Sequence, residues 1–148
     1  MIEKFEPDTI HKPVGPYCHV AKVSAKKLIF VAGQVPVDKD GNIVGVDPTD
    51  GLNATRRNRS HTDLAAQVRQ TMLNLKEALE SAGASLKDLV RLDKFVVASA
   101  MTEYKTAGIK AKDEVLGGLY VPGATVFVSG LMIPEALIEI EAIAAVDE

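Results

Sequence analysis

PGATVFVSGLMIPEALIEIEAIAAV, residues 122–146, reads as two extended segments separated by a Gly/Pro connection. Side chains alternate across a strand, so Thr125 and Phe127 share one side of the first segment while Val126 and Val128 share the other. In the second segment Ile138, Ile140, Ala142 and Ala144 line one face. Leu137, Glu139, Glu141, Ile143 and Ala145 line the opposite one. Two carboxylates at i and i+2, in a stretch otherwise built from Ile, Ala, Leu and Val, stand side by side on a largely apolar surface. Such a pattern marks either a solvated face or a site.

Working outward, residues 92–98 are apolar and β-branched enough for a central strand. Leu64, Val68, Met72, Leu75 and Leu79 recur at helical spacing, which predicts a helix over residues 62–82 with Gly83 in the stop position. Ser85 with Asp88 three residues on has the form of a capping box opening a short turn. Thr102 is placed to cap a second helix running to residue 115, with Tyr104, Ala107, Ala111 and Val115 on one side and Gly117 and Gly118 ending it.

Upstream, residues 17–23 and 28–32 read as two short strands joined by a hairpin-length loop, and Gly33 follows the second directly. The polar turn at residues 38–41 precedes a possible short strand at 43–46. Pro7, Pro13, Gly15 and Pro16 make residues 1–16 an irregular lead-in arm. Residues 47–61 read as a long loop that turns basic at Arg56, Arg57 and Arg59, and loops of that length are often functional or mobile. Helices separated by groups of strands argue for an α+β sandwich with helices on one face of a sheet.

A chain of 148 residues, 47% hydrophobic, suits one domain. Seventeen basic and 20 acidic side chains give a net charge of −3, which offers no global attraction to nucleic acid or an anionic membrane. Cys18 is the sole cysteine, so no intrachain disulfide can form and a reducing compartment is expected. The first residues carry no apolar leader and no run approaches the roughly 20 residues that span a bilayer. The expectation is a soluble cytoplasmic protein.

GPY at residues 15–17, FVAGQVP at 30–36, SAGAS at 81–85 and IEIEAIAAV at 138–146 resemble, in order, the RidA/YjgF family of reactive-intermediate deaminases. The resemblance implies a chorismate-mutase-like α+β fold, a mixed sheet with two main helices on one face, and a homotrimer with clefts between neighbouring subunits. It further implies hydrolysis of 2-imino or enamine acids to 2-keto acids and ammonia without a cofactor.

In that family an arginine in a Pro-Ala-Arg-Ser/Thr pattern pairs with the substrate carboxylate, a glutamate opening Glu-Ile-Glu handles water or a proton, and a tyrosine after Gly-Pro lines the cleft. Carried over, Glu139 and Tyr17 are the catalytic candidates. Ala32, Gly33, Ala124, Thr125 and Val126 become the substrate-binding positions, and Gln34 completes a matching Gly-Gln pair. The chain departs from the pattern at Ala124, where the arginine belongs, and at Ala32, where serine is common. The usual acidic and asparagine positions around the second helix have no clear equivalents in residues 98–112.

A guanidinium suits a carboxylate because its planar fork offers two parallel charged donors, and alanine offers none. Either Arg56, Arg57 and Arg59 supply the cation, across a subunit boundary, or they form a solvated basic loop and the substrate is neutral or carries its charge elsewhere. Glu139, beside Glu141 and among apolar residues, is placed for general acid/base work through desolvation and like-charge repulsion, or it is a structural acid. Tyr17 can orient a ligand or sit at the edge of a core. Cys18 and His19 point to opposite sides and form no dyad, and His11, His19 and His61 lack metal-ligand spacing. Neither a phosphate-cradling nor a dinucleotide fingerprint is present. The reading is a hydrolytic deaminase of a reactive enamine or imine other than the usual 2-imino acids. The alternative is a non-catalytic trimer keeping the cleft as a small-molecule binding or regulatory site. Nucleic-acid binding ranks behind both.

Overall fold

The computed structural model describes residues 1–46 and 62–147, so the reading of residues 47–61, with Arg56, Arg57 and Arg59, lies outside the described residues. Helix α1, Leu64–Ser81, is the predicted first helix. Asp63 caps it, its carboxylate accepting the Ala66 N–H at 2.9 Å. At the other end Gly83 takes φ +77° and the Ala84 N–H turns back to Leu79 O at 2.9 Å, closing the helix in a left-handed turn. The five spaced residues from Leu64 to Leu79 are all fully buried, and burying a side chain of that size contributes about 1.5–3 kcal/mol.

That stripe packs on a four-stranded sheet of order β3-β6-β4-β5, formed by β3 (Lys27–Gln34), β4 (Leu89–Val97), β5 (Thr125–Val128) and β6 (Ile138–Val146). The α+β architecture, with helices on one side of a mixed sheet, is as expected. Ile138, Ile140, Ala142 and Ala144 form the helix-facing side of β6 and are all buried. The two strands of the 122–146 stretch are not neighbours, however. β4 lies between them, antiparallel to β6 and parallel to β5, and a parallel pair requires a crossover, supplied here by the second helical run.

Three local expectations are corrected. Residues 1–16 are not wholly irregular: β1, Ile2–Phe5, pairs antiparallel with β2, Val20–Val23, in a separate two-stranded sheet. Its residues precede the first proline, Pro7, so none of them lacks a donor. The hairpin expected between residues 17–23 and 28–32 does not form, because β2 pairs with β1 and β3 with β6. The strand at 43–46 shrinks to a single bridge, Val37 with Ile43, beside the predicted turn at Asp38.

The second helix also differs. It starts with a 3-10 turn at Ala98–Ala100, continues through α2 (Met101–Glu103) and a π-helical turn at Tyr104–Gly108, and ends in α3, Ile109–Leu116. Thr102 is exposed and does not cap it. The wide π turn rotates the later residues, so Tyr104, Gly108, Ala111, Lys112 and Leu116 are buried instead of a simple Tyr104-to-Val115 row. A Cβ on Gly108 would lie 2.5 Å from Tyr104 Cδ2, so glycine is what lets that ring fold against its own helix.

Two amides on α1, Gln67 buried and Asn74 half-buried, fix the connections to the sheet. Gln67 donates to Glu135 O at 3.1 Å and accepts from Leu137 N–H at 2.8 Å, holding the chain just before β6. Asn74 donates to Val35 O and Val37 O, at 3.0 and 2.8 Å, holding the chain just after β3.

Candidate functional site

The sheet side turned away from the helices carries Leu28, Phe30 and Ala32 from β3. By alternation it also carries Arg91, Asp93 and Phe95 from β4, Glu139 and Glu141 from β6, and Val126 from β5. Near its edge β3 is bulged: Val31 pairs with Ala142 and Gln34 with Ile140, so three steps on one strand match two on the other. Gly33 sits in the bulge. A Cβ there would fall 2.0 Å from Glu139 Oε1, 2.8 Å from Cδ and 2.9 Å from Cγ. The glycine is required by this close approach, and the Glu139 side chain lies directly over its backbone. Gln34, beside it, folds its amide back to Ala32 O at 3.1 Å.

A second construction stands farther along the same face. Asp93 is 8% exposed and uses both carboxylate oxygens: Oδ1 accepts the Ala124 N–H at 2.8 Å and Oδ2 accepts Arg91 Nε at 2.5 Å. Gly123 makes this possible, since a Cβ there would lie 1.9 Å from Leu92 O. Only glycine lets the segment approach β4 closely enough for Ala124 to reach Asp93. Phe30, Ala32, Arg91, Asp93, Glu141 and Ile143 surround a cavity of about 370 Å³ on this face.

The structure thus brings Gly33 to Glu139 and places Ala32, Ala124 and Val126 on the same side as both. Thr125 stands apart from them: level with Lys94, it is turned by the pleat to the helix side, where Phe127, two residues on, meets the Tyr104 ring at 6.5 Å. Tyr17 accepts the Val14 N–H at 3.3 Å and packs edge-on against His19, contacts that do not involve Glu139. Cys18 is buried with Sγ 3.5 Å from Tyr120 O, whereas His19 Nε2 meets His11 O at 2.8 Å, so the two indeed point apart. Burial pushes the Cys18 thiol up. Among the described residues no group of three or more His, Cys, Asp or Glu side chains could hold a metal ion.

Sequence reasoning missed Arg91 and Asp93. The signal was available in the alternation of β4, where an arginine and an aspartate at i and i+2 share the face opposite Leu92 and Val96. A separate charged cluster lies on the helix side. Lys94 and Lys112 are buried there, Lys112 paired with Asp113 at 3.0 Å. Desolvation, reinforced by the Lys112 charge, lowers the Lys94 pKa to about 8. Desolvation likewise raises Tyr104 to about 12.

Comparison with known proteins gives the family. The family described as endoribonuclease L-PSP matches residues 9–146. A RutC family protein of Pyrococcus horikoshii is 34% identical over 134 residues, 90% of this chain and 89% of the relative. The 3-aminoacrylate deaminase RutC of Acinetobacter baylyi is 28% identical over 143 residues, 95% of this chain and 94% of the relative. Among solved structures, the Rid family protein YyfB of Yersinia pestis superposes with a TM-score of 0.75 at 31% identity, covering 98% of both chains. Family match, sequence relatives and backbone agree, and the chain belongs to the endoribonuclease L-PSP family, the RidA/YjgF proteins.

Proposed function

We propose that the protein is a hydrolytic deaminase of a reactive enamine or imine, with Glu139 activating the water. One observation carries the reading: β3 is bulged, with a glycine at the bulge, so that the Glu139 side chain can lie directly over the backbone of the neighbouring strand.

The chemistry requires only water and proton transfer. An enamine is first protonated at carbon to give the iminium. Water then adds to the C=N carbon while Glu139 accepts its proton, forming a carbinolamine. Glu139 returns that proton to nitrogen, the C–N bond breaks, and ammonia leaves as the carbonyl forms, its hydroxyl proton passing to solvent and balancing the proton taken up at carbon. No redox step or electron sink enters, so the reading includes no cofactor.

Assembly as a homotrimer completes the proposal. Phe30 and Leu28 are 72% and 57% exposed on the sheet face, and an apolar patch of that kind calls for a partner surface. A neighbouring copy would cover it and bring Tyr17 to the resulting cleft. Alanine at position 124 removes the family's carboxylate anchor from its usual place, so a substrate here is held differently from the usual 2-imino acids; the 3-aminoacrylate type named for the Acinetobacter relative is one candidate class. The test is ammonia release from enzymatically generated 2-imino acids and from 3-amino enamines, with the oligomer mass measured on the same sample. Acceleration in the second set by a trimer supports the reading, and no acceleration in either set by an intact trimer overturns it.

The same missing arginine favours the alternative of a cleft that binds a small molecule without turning it over. That reading predicts ligand binding with no ammonia release.

A further inference from the structure

We propose that Arg91, held by Asp93, is the carboxylate-binding residue of this site, supplying from the neighbouring strand the cation that position 124 lacks. The inference rests on the deaminase reading and names its substrate class: an imine or enamine that carries a carboxylate.

The geometry is specific. In the parallel register Lys94 stands opposite Thr125, so Asp93 is level with Ala124. Asp93 is buried, and its two oxygens tie Ala124 N–H to Arg91 Nε. Arg91 is therefore drawn along β4 toward the level at which an arginine on residue 124 would begin. Bonding through Nε leaves both terminal Nη groups available, and among the described residues they have no other partner. Those two nitrogens form the edge of the guanidinium that takes a carboxylate in a fork. Arg91 also lines the 370 Å³ cavity, whose apolar walls include Phe30 and Ile143.

The surrounding charges agree with such a ligand. Glu141 is paired with Asp93 across the β4–β6 ladder, and Glu139 follows two residues along, opposite Phe95. The face therefore runs from one guanidinium to two carboxylates not committed to it. A bare anion would be repelled by the acids, and a bare cation by Arg91. A protonated imine bearing a carboxylate matches both ends, with its anion at Arg91 and its N–H toward the glutamates. Asp93 acts here as a positioning residue, fixing the guanidinium without touching the ligand.

The test uses crotonate, a stable carboxylate with the carbon skeleton of a 3-amino enamine acid, and its neutral counterpart crotonamide, titrated by ligand-observed NMR into the full chain. Wild-type protein should bind crotonate about ten-fold or more tightly than crotonamide, in keeping with hydrogen bonds to a charged group. Arg91→Met should erase that preference and Arg91→Lys should retain part of it. With ammonia release as a second readout, Arg91→Met should raise KM for 3-aminocrotonate and leave that for its methyl ester unchanged. Equal binding of the two probes by wild type, or a preference that survives in Arg91→Met, overturns the assignment. If the Arg91-dependent preference is found but no substrate releases ammonia, the carboxylate site stands and the deaminase reading falls.

Discussion

Replacing Gly33 with alanine separates the site from the fold. The new methyl would begin 2.0 Å from Glu139 Oε1 and 2.9 Å from Cγ. Ordinary contact starts near 3.4 Å, so the oxygen must retreat by about 1.4 Å and the Cγ by about half an ångström. The obstacle is a side chain at the rim of the sheet, free to rotate, and the backbone φ at Gly33 is not in the left-handed region. The cost to folding is therefore that of a strained rotamer, about 0.5–1.5 kcal/mol. The cost to catalysis is larger, because a misplacement of about 1 Å in a reacting group can lower the rate by about 100-fold. Urea unfolding and the initial rate of ammonia release, measured on the same preparation, give both numbers. A Gly33→Ala protein that folds and retains the wild-type kcat would refute the reasoning that this glycine exists to seat the Glu139 carboxylate.

Other predictions follow from the supports around the site. Gln67→Ala leaves the Glu135 carbonyl and the Leu137 N–H without their buried partner, each worth about 1–3 kcal/mol, so a loss of about 3 kcal/mol is expected in urea unfolding; a change below about 0.5 kcal/mol would mean that the clamp before β6 is dispensable. Lys94→Met tests the helix-side cluster. The Lys94 pKa is about 8 in the folded protein against 10.5 for an exposed lysine, a gap corresponding to about 3 kcal/mol. Below pH 8 the charge is carried in both states and penalises the fold; between about 8 and 10.5 the unfolded chain binds the extra proton, so stability rises with pH. The variant should therefore be more stable than wild type at pH 7 by about 2–3 kcal/mol and lose that advantage toward pH 10. Parallel stability curves for the two proteins would contradict the assignment.

Much of the fold was legible because its signals are local. The α1 stripe from Leu64 to Leu79, the Ser85–Asp88 box and the alternation of residues 138–146 each declare an element through their own spacing. Pairing is not local. Nothing in residues 17–32 distinguishes a hairpin from two strands that leave for different partners, and β1 is only four residues long beside a proline-rich arm. The face of the second helical run shifted because a π turn breaks the 3.6-residue period on which its reading depended.

The same division holds at the site. Glu139 and its orientation could be read from alternation alone. That Gly33 lies beneath it could not, since the contact joins residues more than a hundred positions apart across a bulge. Arg91 was overlooked for a related reason. The search for a replacement cation followed the density of arginines in residues 47–61, whereas the cation we propose is a single arginine tied to a buried aspartate on β4. Thr125, which the motif match groups with Ala124 and Val126, is separated from them by the pleat, a difference that alternation along β5 already carries.

The central claim is that Glu139 moves the proton in a hydrolysis. Its most direct test compares wild type with Glu139→Gln, a near-isosteric change that removes the base but not the side chain. The account predicts a wild-type protein that accelerates ammonia release from a carboxylated enamine, and a variant whose kcat falls by about 100-fold or more while its crotonate affinity stays within a few-fold. A Glu139→Gln protein that turns over at the wild-type rate would contradict it.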